Sequence, residues 1–231
     1  RIIEVLESID ISVRWIGDDV EVKVPEKIAL NKINVESAIK TRSIIMLIGP
    51  LIHYFKSFKL PQAGGCKLGS RTVKPHFFAL EKFGVLINTT SKNYEIKAPK
   101  LSPAEIVLYE SGDTVTENAI MAAACIPGET IIKFASANYQ VQDLCFFLKD
   151  LGIEIEGIGT TTLKIHGKKE INENTTYYLS EDPIESMFFL AVAIVTNSSI
   201  TITRCPIDFL EIELLKLEKM GVKYKILKKY K

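Results

Sequence analysis

Cysteine is scarce in this sequence, and its spacing excludes two chemistries. The 231 residues hold four, Cys66, Cys125, Cys145 and Cys205, with no CxxC or CxxH pair among them. Such spacing writes neither a disulfide scaffold nor a structural zinc site. Three of the four stand inside or beside apolar runs (AAACIPG, QDLCFFL, TRCPIDFL) and read as small buried hydrophobes. An excess of one charge is also missing: 29 Lys and Arg face 28 Asp and Glu, a net charge of +1. That balance excludes a general nucleic-acid or membrane-surface binder, while leaving room for a local basic pocket. Long apolar runs are absent as well. The longest, 44–52, is interrupted by Gly49 and Pro50 and is too short to cross a bilayer. With 13 glycines and 9 prolines the chain is not of low complexity. The three histidines, His53, His76 and His166, are scattered and read as structural or surface residues. The single tryptophan, Trp15, lies on an alternating segment and reads as packing. The first residue is Arg1, already inside a helical pattern, so the expectation is a piece lacking its N-terminal end. Reduced thiols point to a cytoplasmic protein.

What the sequence does contain is a repeat. Leu6-Glu7-Ser8-Ile9-Asp10, Leu80-Glu81-Lys82-Phe83-Gly84, Leu148-Lys149-Asp150-Leu151-Gly152 and Leu217-Glu218-Lys219-Met220-Gly221 share one pattern, spaced 74, 68 and 69 residues apart. Each reads as a helix end with Asp or Gly as its cap. Alternating residues follow each: SVRWI, VLINTT, IEIEGI and VKYKIL. Period-two alternation predicts half-buried strands. After the first three come turn residues and a second strand, EVKV, NYEIKA or TTLKIHG, which predicts hairpins. Upstream of the later copies lie strongly apolar helices, predicted over 38–55, 116–126 and 185–195, each followed by a short strand (FKLPQ, TIIKF, SITIT). Asp182 and Glu185, at the predicted start of the last of these, suit a helix N-terminus. The unit is therefore helix, strand, helix, strand, strand. Because the helices are the most apolar elements and the strands alternate, the fold class is α/β with helices inside and sheets outside. A doubly wound parallel sheet would need continuously hydrophobic strands.

The chemistry-bearing stretch is Ala63-Gly64-Gly65-Cys66-Lys67-Leu68-Gly69-Ser70-Arg71. Its glycines permit close backbone approach to a ligand. Lys67 and Arg71 place positive charge beside a thiol, which lowers its pKa, and a helix N-terminus follows. That combination suits a loop closing over an anionic substrate; a glycine-rich surface turn with an incidental cysteine is the plain alternative.

This stretch resembles the catalytic loop (PGGC…G…R) of the enolpyruvyl transferases, in particular the UDP-N-acetylglucosamine 1-carboxyvinyltransferase family. Further segments match in order. Thr41-Arg42-Ser43-Ile44 with Gly49-Pro50-Leu51 resembles that family's MRAS…LGPL helix. Thr116-Glu117-Asn118 with Met121-Ala122-Ala123 resembles ATEN…MAA, and Gly128-Glu129-Thr130-Ile131-Ile132 resembles EGTTVI. Leu179 to Glu185 resembles the LPDRIE crossing between domains. The resemblance implies an inside-out α/β barrel, with residues 1–180 forming the catalytic-loop domain and 181–231 the first unit of a second domain. It implies enolpyruvyl transfer from phosphoenolpyruvate to UDP-N-acetylglucosamine in peptidoglycan synthesis, without metal or organic cofactor. Cys66 would be the proton donor. Arg42, Arg71, Thr72, Val73, Gly112, Asp113 and Thr114 would bind substrate, the last three where the family carries SVG beside the diphosphate. The chain differs from the family at Lys74, Asp113, Asn138-Tyr139-Gln140 (EPE in the family) and Pro183. Two alternatives stay open: a 3-phosphoshikimate 1-carboxyvinyltransferase, which shares the fold but lacks the loop cysteine, and a non-catalytic relative that binds a nucleotide sugar.

Overall fold

The computed structural model describes residues 1–62, 64 and 72–227. In chain order they form α1 (Ile2–Ser8), β1 (Ser12–Ile16), β2 (Asp19–Lys23) and α2 (Val35–Ile39). A 3-10 turn, Arg42–Leu47, then runs into α3 (Ile48–Leu51). There follow β3 (Ser57–Pro61), α4 (Lys74–Glu81), β4 (Leu86–Thr89), β5 (Asn93–Lys97), β6 (Glu105–Val107), α5 (Asp113–Ala124) and β7 (Gly128–Lys133). The last elements are α6 (Tyr139–Asp150), β8 (Glu154–Glu156), β9 (Thr162–Gly167), α7 (Pro183–Val195) and α8 (Glu211–Lys219).

The four repeated helix ends fold alike. Asp10, Gly84, Gly152 and Gly221 all adopt positive φ, at 67°, 93°, 84° and 89°. This left-handed residue reverses the chain after α1, α4, α6 and α8 and frees the following segment to run extended. Three of the four predicted strands after these ends form: β1, β4 and β8. Each pairs antiparallel with the second strand of its hairpin, β2, β5 or β9. In the two middle copies the short strand before the helix joins from the other side, giving the orders β3-β5-β4 and β7-β9-β8, with β6 added parallel to β7. The last strand of the unit is thus the central one.

Two expected strands do not form: segments 199–203 and 222–227 have no strand pairing, and both face the same space. An open groove of about 910 Å³ lies there instead, lined by Ile200, Ile202, Val222 and Tyr224 among others. Trp15 corrects a second expectation. In the two-stranded sheet β1-β2 it pairs with Val20 across the ladder and is 66% exposed, so it does not pack in a core. Cys125 and Cys205 correct a third: both are half-buried, and only Cys145 is fully buried among the described cysteines.

The predicted helix over 38–55 is broken into α2, the 3-10 turn and α3. The cause is local. The Gly49 N–H donates to Asn118 Oδ1 at 2.8 Å, across to α5, and so leaves the helical ladder. Pro50 has no N–H to offer. This crossing is also close: a Cβ on Gly49 would fall 2.5 Å from Asn118 Oδ1 and 2.6 Å from the Asn118 carbonyl oxygen. Around it, α5 is the innermost helix, with eight of its twelve residues buried. It packs on α3, α4, α6 and β9. The strands β5, β7 and β9 bury alternate residues against the helices (Tyr94 and Ile96; Thr130 and Ile132; Leu163 and Ile165). The result is a mixed α/β fold with one continuous core from Ile45 to Ile165.

Gly49→Ala should therefore cost about 2 kcal/mol by overpacking the α3–α5 contact, read from urea denaturation. A loss below a few tenths of that would show that the two helices do not meet this closely.

Candidate substrate site

Arg42 and Thr72, thirty residues apart in sequence, meet. Arg42 opens the 3-10 turn, and its Nη2 donates to the Thr72 carbonyl at 2.8 Å. Thr72 Oγ1 in turn accepts the Lys74 N–H at 3.2 Å, a side-chain turn that sets the start of α4. Val73 is the N-cap residue of that helix and lies against the main core. The expected catalytic Cys66 and the expected phosphate contact Arg71 lie outside the described residues, as do Lys67 and Gly65.

The second group of expected residues surrounds the start of α5. Gly112 is its N-cap in extended conformation, and its carbonyl accepts both the Thr116 N–H at 3.0 Å and Thr116 Oγ1 at 2.8 Å. Asp113 fills the first turn, where the helix dipole favours a carboxylate. Its oxygens are both taken: Oδ1 accepts Ser136 Oγ at 2.5 Å and Oδ2 accepts Asn138 Nδ2 at 2.9 Å. Thr114 is exposed. Phe134, in the left-handed region at φ 60°, turns the chain sharply after β7 and delivers Ser136 and Asn138 to this point. Asn138 also caps α6 by accepting the Tyr139 N–H at 2.8 Å. Thus Asp113 and Asn138, both expected departures, are bonded to one another.

No bond among the described residues joins the Arg42–Thr72 group directly to Asp113. They are linked through the interior. Asn118 Nδ2 donates to the Ile45 carbonyl at 3.1 Å and lies 3.2 Å from His76 Nδ1. Both side chains are buried, at 1% and 2% exposure. Accepting from Asn118 puts the His76 ring proton on Nε2. One asparagine therefore ties together the 3-10 turn that carries Arg42, the first turn of α4 after Thr72 and Val73, and α5 after Gly112 to Thr114. Sequence reasoning noticed Asn118 only as part of a motif and read His76 as structural, which it is. Glu117 was missed as an individual group. It is half-buried one turn after Asp113, and burial, then the Asp113 charge, raises its pKa.

The remaining titratable candidates are structural. His53 Nε2 bonds the Ala122 carbonyl at 3.0 Å, and burial lowers its pKa. His166 stands on the exposed sheet face beside Glu129 and Glu156. No cluster of three metal-ligating side chains occurs among the described residues, and no helix among them is long and apolar enough to cross a membrane.

Two outcomes follow from this geometry. Asn118→Ala should cost about 3 kcal/mol, because the Gly49 N–H and the Ile45 carbonyl lose a buried partner together; a urea-midpoint change worth under 0.5 kcal/mol would contradict the hub. The second concerns pH. Burial pushes the Cys145 thiol up to about 12 from its ordinary 9.0. Between those values the folded chain holds a proton that the unfolded chain releases, so stability falls as pH rises through that window. Cys145→Ala should flatten the fall in denaturation curves taken between pH 8 and 10.5, and an unchanged slope would count against the assignment.

Comparison with known proteins places this arrangement in a family. The model of EPSP synthase (3-phosphoshikimate 1-carboxyvinyltransferase) matches residues 1–229. A UDP-N-acetylglucosamine 1-carboxyvinyltransferase of Bradyrhizobium diazoefficiens is 34% identical over 221 residues, which is 96% of this chain and 51% of that protein. One from Treponema denticola is 38% identical over 178 residues, 77% of this chain and 41% of that protein. The chain spans about half the length of the curated relatives it matches. Among solved structures, the enolpyruvyl transferase NikO from Streptomyces tendae superposes with a TM-score of 0.74 at 18% identity, covering 97% of this chain and 54% of that one. An EPSP synthase from Acinetobacter baumannii gives 0.51 at 14% identity, covering 73% and 38%. The fold is shared with these enzymes, and by its family match across residues 1–229 the chain belongs to the EPSP synthase family.

Proposed function

We propose that this chain forms the greater part of the loop-bearing domain of a UDP-N-acetylglucosamine 1-carboxyvinyltransferase. The protein containing it transfers the enolpyruvyl group of phosphoenolpyruvate to the 3-hydroxyl of UDP-N-acetylglucosamine, opening peptidoglycan synthesis in the cytoplasm. The observation that carries this reading is the run of relatives with that name at 31–38% identity, aligned through the segment that contains Cys66. In this reading residues 1–180 belong to one inside-out α/β barrel and 181–231 begin the second.

In the reaction a sugar hydroxyl gives its proton to a base and adds to the central carbon of phosphoenolpyruvate while an acid protonates the methylene carbon to a methyl group; the tetrahedral intermediate then loses phosphate as the methyl group returns a proton. It needs an acid at the methylene and cations on the phosphate. Cys66 is the acid in this reading and Arg71 the phosphate cation, its planar fork suited to two phosphate oxygens at once. Arg42 braces the Thr72 carbonyl, so that Thr72 and Val73 present a fixed backbone to the nucleotide. Gly112 to Thr114 line the diphosphate side. Asp113 does not confront that diphosphate as a bare carboxylate, because Ser136 and Asn138 both donate to it. The reaction calls for no metal or organic cofactor.

A second reading, in which the acceptor is 3-phosphoshikimate, is favoured by the name of the family model that matches residues 1–229.

The test is phosphate release by a protein containing this chain and its continuation. Phosphoenolpyruvate with UDP-N-acetylglucosamine should release phosphate, and Cys66→Ser should lower the rate on the order of 10²-fold or more. Turnover with 3-phosphoshikimate alone would establish the second reading. Turnover of neither would overturn both.

A further inference from the structure

The C-terminal helices and the segment leading to them meet α6 through hydrogen bonds and two ring contacts. Buried residues of α7 and α8 and their connection, Ala193, Leu210 and Leu214, do not belong to the main apolar core. On α7, Phe188 is 61% and Val195 81% exposed. The tie runs instead through α6. Its Asp143, only 8% exposed, accepts three hydrogen bonds from the segment that leads into α7. Tyr177 Oη donates to Oδ1 at 2.8 Å, Ser180 Oγ to Oδ1 at 2.8 Å, and the Ser180 N–H to Oδ2 at 3.0 Å. The Tyr177 ring meets Phe147 of α6 edge-on, with centroids 5.9 Å apart. One turn earlier on α6, Tyr139 Oη donates to Asp182 Oδ1 at 3.2 Å. The same oxygen accepts the Ile184 N–H at 2.8 Å and caps α7. The Tyr139 ring also lies 5.8 Å from Phe209, ahead of α8.

Asn138, the neighbour of Tyr139, holds Asp113 at the start of α5. One end of α6 therefore grips two carboxylates, one leading a candidate substrate helix and one leading α7. We propose that Asp143 is a positioning residue, the latch that fixes segment 177–182, and with it the start of α7, against the helix that also holds Asp113. Hydrogen bonds to a buried charge are strong and directional. Apolar faces slide, whereas three converging donors allow one register. Tyr177 stays a donor throughout the ordinary pH range, since burial and then Asp143 raise its hydroxyl pKa. The relevance of the latch to catalysis rests on the enolpyruvyl reading. Its existence does not, and the experiment below involves no substrate.

The Ser180 amide reports the latch directly through its hydrogen-exchange rate in this chain. Asp143→Asn keeps the shape but turns an amide group toward one donor, and should accelerate exchange at Ser180 roughly tenfold, with α5 and β7 amides unchanged. Tyr177→Phe keeps the ring on Phe147 and removes only the hydroxyl, so Ser180 should speed up severalfold. The double variant should exchange no faster than Asp143→Asn alone, because both act on one carboxylate. Three results would overturn the proposal: unchanged Ser180 exchange in both single variants, loss of protection spread equally over α5 and β7, or multiplying effects in the double variant. Should Asp143→Asn fail to fold, Tyr177→Phe alone still decides it by the first two of these.

Discussion

The side chain of Asn118 is the constraint on which the described structure turns. It takes the Gly49 N–H, gives to the Ile45 carbonyl and meets His76, all out of contact with water. A buried amide without partners is costly, and one with three is specific. Because its partners lie on three separate elements, their mutual register is fixed by one residue. This register sets Arg42 beside Thr72, and it sets the start of α4 beside α5. The 3-10 turn that follows Thr41 meets the same side chain through the Ile45 carbonyl.

Much of the architecture was legible in the sequence because it depends on local chemistry. The helix ends at Asp10, Gly84, Gly152 and Gly221 require a residue that tolerates positive φ, and only a few residue types supply it. Alternation in NYEIK and TTLKIHG follows from one face meeting helices and the other facing water. What was not legible depends on partners distant in sequence. SITIT and VKYKIL alternate as well as any strand here, yet neither is paired; both line an open groove. Trp15 has the pattern of a core residue but sits on a two-stranded sheet with an open face. The isolated thiols were misjudged for a similar reason. AAACIPG and TRCPIDFL look apolar, but Cys125 caps the end of α5 and Cys205 lies in the connection between α7 and α8, and both are only partly buried.

The candidate site was legible in part. Arg42, Thr72 and Val73 were expected on the nucleotide side, and Arg42 donates to the Thr72 carbonyl. Gly112 to Thr114 were expected near the diphosphate, and they stand at the start of α5. The pairing of Asp113 with Asn138 was not foreseen, although both were noticed as departures. The Asn138 amide donates to the Asp113 carboxylate, so the two expected departures meet in one hydrogen bond. The roles of Ser136, Asp143 and Tyr177 carry no local motif. Three donors converging on one buried carboxylate become visible only when segments 136–143 and 177–182 are seen side by side.

The central proposal is that Cys66 acts as the acid toward phosphoenolpyruvate beside a bound nucleotide sugar. It is tested most directly by iodoacetate labelling followed by peptide mass spectrometry, with and without UDP-N-acetylglucosamine. The account predicts that Cys66 is carboxymethylated well ahead of Cys145, and that the nucleotide sugar changes the Cys66 rate severalfold while leaving Cys125, Cys145 and Cys205 as they were. Equal labelling of all four thiols in the folded chain, indifferent to the nucleotide sugar, would contradict it.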